Sequence, residues 1–130
     1  MQFMIDTNIA IHIRDGDQPV LQKAVAHRGH VVMSSLTLAE LRGGIYKSPA
    51  LSNLRRLRLE PILQQIPVLA FDDAAANTFG DVIAACGWTR DRDFDRMIAA
   101  HAISANLTLV TNNVADFADI PGLVLENWAV

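Results

Sequence analysis

Phe3-Met4-Ile5-Asp6-Thr7-Asn8 decides how the rest of the chain reads. Three apolar residues make a short buried strand. A carboxylate follows at its C-terminal end, where open α/β sheets hold their ligands. Three further oxygen-bearing groups stand at the edges of apolar elements. They are Glu40 in Leu38-Ala39-Glu40-Leu41, Asp95 ahead of Met97-Ile98-Ala99-Ala100, and Asn113 with Asp116 after Leu107-Thr108-Leu109-Val110-Thr111. Carboxylates converging at the end of a sheet point to a hard divalent cation and phosphate chemistry.

Outward from that strand, hydrophobic periodicity predicts alternating elements. Helices are expected over 8–14, 19–28 and 36–46, the last weakened or bent by Gly43-Gly44. Leu51, Leu54, Leu57 and Ile62, with arginines between them, predict an amphipathic helix ending near Pro61 to Gln65. Asp72 caps an alanine-rich helix that stops at Gly87, and another helix runs from Asp95 to Ala105. Strands are expected at 31–33, 68–71, 107–110 and 123–125, with a short turn or helix at 114–117. This alternation predicts a single domain over 1–130, α/β in class, with helices on both faces of a mostly parallel sheet of about five strands.

The chain has 130 residues, 51% of them hydrophobic, 19% charged, and a net charge of −3. That charge does not advertise a nucleic-acid binder. Yet Arg42, Lys47, Arg55, Arg56 and Arg58 fall within 17 residues, while acids gather elsewhere. The high apolar content suits either a docking patch for a partner or buried alanine-rich helices. No apolar run approaches the ~20 residues of a membrane span, and no signal peptide is indicated. The single cysteine, Cys86, cannot form an internal disulfide and fits a cytoplasmic setting.

Each acid also has a plain structural use. Asp6 can cap a helix, Glu40 completes a capping box with Thr37, and Asp95 favours a helix dipole. If Asp6, Glu40 and Asp95 meet, they cannot all ionise comfortably without a cation. Asn8 and Thr7 stand ready to orient Asp6. Asp91-Arg92-Asp93-Phe94-Asp95 is no calcium loop, because position six is Arg96 and position twelve Ala102. His12, His27, His30 and His101 lack zinc spacing.

Met4 to Asn8 and Ser34 to Gly44 resemble the first two motifs of PIN-domain ribonucleases. Asp95 to Ala102 and Leu109 to Phe117 resemble the third and fourth, and Ile120 to Trp128 fits the same group. The likeness is greatest to the VapC toxins of VapBC toxin–antitoxin systems. It implies a PIN-like three-layer α/β/α fold and a Mg²⁺-dependent endoribonuclease, with Mn²⁺ as the other candidate metal. It implies metal ligands at Asp6 and Asp95, with Glu40 completing the acidic pocket. The expected fourth acid is replaced by Asn113, so that either Asp116 supplies its charge or the site runs with three acids. Thr111 and Asn113 are candidates to support the site beside Thr7 and Asn8. The resemblance further implies a VapB-type antitoxin, a homodimer, and contact with DNA only through the antitoxin. Structured RNA, above all tRNA, is the expected substrate, with Arg42, Arg55, Arg56 and Arg58 as phosphate contacts. A phosphoaspartate enzyme would want Asp at position 8 and a late lysine, and this chain has neither. A non-catalytic PIN module that binds RNA or protein is the remaining alternative.

Overall fold

Five short parallel strands stand in the order β3-β2-β1-β4-β5. The computed structural model describes residues 1–129. The strands are β1 (Phe3–Ile5), β2 (Val31–Ser34), β3 (Val68–Leu69), β4 (Thr108–Val110) and β5 (Leu125–Glu126). β1 pairs in register with β2 on one side, Ile5 beside Met33, and with β4 on the other, Ile5 beside Val110. All neighbouring pairs are parallel, so the mostly parallel sheet expected from sequence is wholly so.

Successive strand residues face opposite sides of a sheet, and the two cores follow that alternation. Phe3 and Ile5 join Met33 and Val110 under α1 (Thr7–Arg14), α2 (Gln18–Ala26), α3 (Ser35–Ile45) and α4 (Ser52–Gln65). Met4, Val32 and Leu109 face the other way, against α5 (Asp73–Cys86), α6 (Asp93–Ser104) and α7 (Val114–Phe117). The result is the three-layer α/β/α arrangement. Both faces are covered, which is why the strands read as unbroken apolar runs.

Helix ends follow local chemistry. Asp72 Oδ1 accepts from Ala75 N at the start of α5, and Gly87 ends it at φ +79°, a backbone region that suits glycine. α3 begins at Ser34, whose hydroxyl accepts from Leu36 N. Thr37 therefore lies inside α3, and the expected Thr37–Glu40 capping box does not form. Gly43 and Gly44 stay helical because Leu41 and Ile45 beside them are locked in the core.

The amphipathic reading of residues 51–65 is corrected. Pro49–Leu51 forms a 3-10 turn, and Leu51, Leu54 and Leu57 are exposed. Leu59 and Ile62 make the buried contact, and their packing carries α4 through Pro61 to Gln65. β3 is shorter than expected because the chain leaves the ladder for side chains: Phe71 N donates to Ser35 Oγ. β5 is displaced to Leu125–Glu126, beyond the Pro121-Gly122 turn, with Gly122 at φ +79°.

Candidate active site

The chain steps from β1 to β2 to β3 on one side, then returns to β4 on the other. The reversal lies between β1 and β4, and ligands of open α/β sheets bind at such switch points. A cleft of about 510 Å³ opens there, lined by Asp6, Thr7, Asn8, Glu40 and Asp95 among others. Three acids separated by up to 89 positions thus share one wall.

Asp6 follows β1 directly and is buried, 4% exposed. Its Oδ1 accepts from Ile9 N at 2.9 Å, so it caps α1 as the helix-cap reading expects, while lining the cleft. Burial pushes its pKa from 3.8 up to about 6. Hydrogen bonds from Thr111 and Ile9 oppose the rise, and the charges of Asp95 and Glu40 add to it. Asp95, in the first turn of α6, is also raised, first by burial and then by Glu40 and Asp116.

Glu40 lies on α3 with Oε1 2.6 Å from the Thr7 hydroxyl, which donates to it. Thr7 therefore orients Glu40 rather than Asp6. Thr37 Oγ1 stands 3.3 Å from the same hydroxyl. The fully buried Thr111 supports Asp6 and also accepts from Asn113 N. Asn113 in turn accepts from Asp116 N, which sets the turn into α7. Asp116 is exposed and is not part of the cleft wall, although its charge reaches Asp95.

Among the described residues, no group of three or more His, Cys, Asp or Glu side chains stands close enough to hold an ion alone. The donor set fits Mg²⁺ in its usual manner, with one or two carboxylates, several waters and a substrate phosphate. Asp6 and Asp95 are the carboxylates that could hold it, because burial and neighbouring negative charge disfavour their ionised forms, a cost that a cation would relieve.

Residues 3–123 match the PIN domain. The chain belongs to the PIN-domain family. It is 36% identical to the tRNA(fMet)-specific endonuclease VapC of Shigella flexneri over 99% of both chains. It matches a chain of DNA-bound VapBC from Salmonella typhimurium with a TM-score of 0.88 and 32% identity over 98% of both. VapBC2 from Rickettsia felis, bound to a DNA fragment from their promoter, gives 0.87 and 30%, covering 98% of this chain and 99% of that one. These likenesses place this PIN domain among the VapC ribonuclease toxins of VapBC toxin–antitoxin systems.

Of the four arginines expected to contact RNA, this PIN domain brings only Arg55 into the cleft wall. Arg42 pairs with Glu60 at 3.9 Å, Arg56 is exposed, and Arg58 lines a separate groove. Lys47, named from sequence only as part of the basic cluster, lines the cleft, as do Arg14 and Asp15, which were not singled out. The helical repeat carried a signal for Arg14, which follows Thr7 by seven residues, two turns along the same face of α1.

The second groove, about 550 Å³, is largely apolar, lined by Ile13, Leu21, Val25, Leu57 and Ile62 among others. Arg14 and Asp15 line both openings, so groove and cleft share a wall. Among the described residues, no helix is long and apolar enough to cross a membrane.

Proposed function

We propose that this PIN domain is a Mg²⁺-dependent endoribonuclease toxin that hydrolyses phosphodiester bonds in structured RNA, tRNA foremost, and so inhibits translation. The observation that carries this reading is the shared cleft of Asp6, Glu40 and Asp95, with Asp6 buried and held near pKa 6. Asp6 and Asp95 would hold the metal, whose chemistry is to polarise phosphorus and lower the pKa of the attacking water. Thr7 holds one oxygen of Glu40. The other is free to orient that water and take its proton. Thr111 keeps Asp6 aimed into the cleft. Asp116 adds negative charge beside Asp95 from outside the wall. The tRNA assignment is supported by relatives named tRNA(fMet)-specific endonucleases.

A VapB-type antitoxin is the proposed partner, acting in the cytoplasm. The apolar groove would take its amphipathic segment, and the shared wall at Arg14 and Asp15 would lead a basic side chain into the acidic cleft. Contact with DNA would run through the antitoxin, and the toxin would pair as a homodimer.

The test is cleavage of total tRNA by antitoxin-free protein in Mg²⁺, in Mn²⁺ and in EDTA, beside Asp6→Asn. Discrete fragments that need both the metal and Asp6 are expected. RNA bound but left intact in saturating Mg²⁺ would overturn the nuclease and favour the non-catalytic module.

A further inference from the structure

We infer that Lys47 and Arg55 form a phosphate subsite beside the acidic pocket, holding the phosphodiester next to the one that is cut. The inference rests on the nuclease reading of the cleft and adds to it the grip on the substrate backbone.

Both residues line the same cleft as Asp6, Glu40 and Asp95. Arg55 Nη1 donates to the Gly44 carbonyl at 2.8 Å, near the end of α3. That bond engages one of five guanidinium donors and fixes the plane of the others. Gly44 also lines the cleft, and the position where its Cβ would stand is open. Among the described residues, neither Arg55 nor Lys47 has a carboxylate within ion-pair distance. Arg14, Arg42 and Arg96 each have one.

Charge balance then sets the roles. The cleft wall carries the acids Asp6, Asp15, Glu40 and Asp95 and the cations Arg14, Lys47 and Arg55. Arg14 and Asp15 pair at 3.0 Å and cancel. Asp6 and Asp95 remain for a divalent cation with Glu40 beside them, and Lys47 and Arg55 remain for a neighbouring anion. RNA presents its phosphates in succession, so a strand whose scissile phosphate sits at the acids brings the next one to the cations. A planar arginine fork and a lysine ammonium in one cleft suit a phosphodiester. This contact reads no base, so it serves position and not sequence.

The test uses the full chain carrying Asp6→Asn, in EDTA, so that binding is read without turnover. A short single-stranded oligoribonucleotide is titrated by fluorescence anisotropy at several salt concentrations. The same oligonucleotide is then made with one neutral methylphosphonate at each phosphate in turn. Adding Lys47→Met and Arg55→Met is expected to weaken binding about tenfold and to reduce the salt slope by about 0.7 for one lost phosphate contact. One methylphosphonate position is expected to weaken binding to the Asp6→Asn protein by a similar factor, and to cost nothing further once both cations are gone. Where Arg55→Met does not fold, Lys47→Met with Arg55→Lys supplies the cycle, with a partial loss expected.

Losses that simply add, or an unchanged salt slope, would remove the subsite. If the parent chain still cuts RNA in Mg²⁺, that result leaves the nuclease standing. A coupled loss in a chain that never cuts RNA would keep the subsite and refute the nuclease.

Discussion

The hydroxyl of Thr7 stands 2.6 Å from Oε1 of Glu40 and ties the first turn of α1 to α3 across 33 residues. One hydrogen bond thereby joins the two elements that present Asp6 and Glu40. A hydrogen bond to a charged group contributes about 1.5–3 kcal/mol when well shielded, and less at an exposed pair such as this. Thr7→Val keeps the shape and removes the donor. The expected result is a kcat lowered about tenfold or more with a Tm close to the parent, read from RNA cleavage and a thermal melt. An unchanged kcat would show that Glu40 needs no such anchor.

Asp6→Asn should stabilise the metal-free protein at neutral pH. Asp6 has a folded pKa of about 6 against 3.8, so its contribution is fully present below 3.8 and is lost as pH rises through 6. At neutral pH the ionised form costs up to about 3 kcal/mol. Asparagine keeps the cap on Ile9 N and carries no charge. Urea melts in EDTA at pH 4 and pH 7.5 should show the variant gaining over the parent only at the higher pH. Equal gains at both would mean that ionisation of Asp6 is not the source.

His101 should act with the opposite sign. It is buried on α6, with Nδ1 2.9 Å from Ser34 Oγ and the Ala70 carbonyl near the ring. Burial lowers its pKa below 6.5 despite the opposing pull of Asp72 and that carbonyl. A depressed folded pKa gives stability that is present above 6.5 and lost as pH falls through the folded value. The expected outcome is that His101→Gln, compared with the parent by melts from pH 8 to 5, loses most stability at the alkaline end. A loss that does not vary with pH would make packing against Phe71 the whole of its role.

Arg96 and Asp119 should behave as a clamp on α7. The buried guanidinium donates to both Asp119 oxygens, at 3.3 and 3.0 Å, and Cys86 Sγ donates to the Asp119 carbonyl. Arg96 holds the Asp119 pKa below the usual carboxylate value. The stability from this pair is therefore present above that usual value and lost as acid takes the pH through the folded one. Asp119→Asn is expected to lower Tm at pH 7, with the gap closing in strong acid. Mn²⁺ titrations should show whether the looser α7 also weakens metal binding near Asp95. A Tm gap that persists in acid would place the effect outside the ion pair.

Much of the fold was legible because strands buried on both faces write themselves as apolar runs. Phe3 to Ile5, Val31 to Met33 and Leu107 to Val110 needed no partner to be recognised. Leu51, Leu54 and Leu57 misled because helical spacing does not say which face meets the core. In α4 the packing fell to Leu59 and Ile62. Thr37 misled for a related reason, since Ser34 reached the helix start first.

The candidate acids were legible by their places at strand and helix ends, yet their convergence was not. Sequence placed Asp6 after the first strand and named Glu40, Asp95 and Asp116. Tertiary structure decided that the first three share a cleft, that Asp116 stands outside its wall, and that Thr7 holds Glu40. It also decided that Arg55 and Lys47 line the same cleft as the acids, while Arg42 pairs with Glu60 and Arg58 lines the apolar groove. The physical reason is range. Strand burial, capping and helix dipoles act over a few residues, whereas a cleft is built where distant strand ends meet, and the strand order that brings them together is set by the packing of the whole sheet.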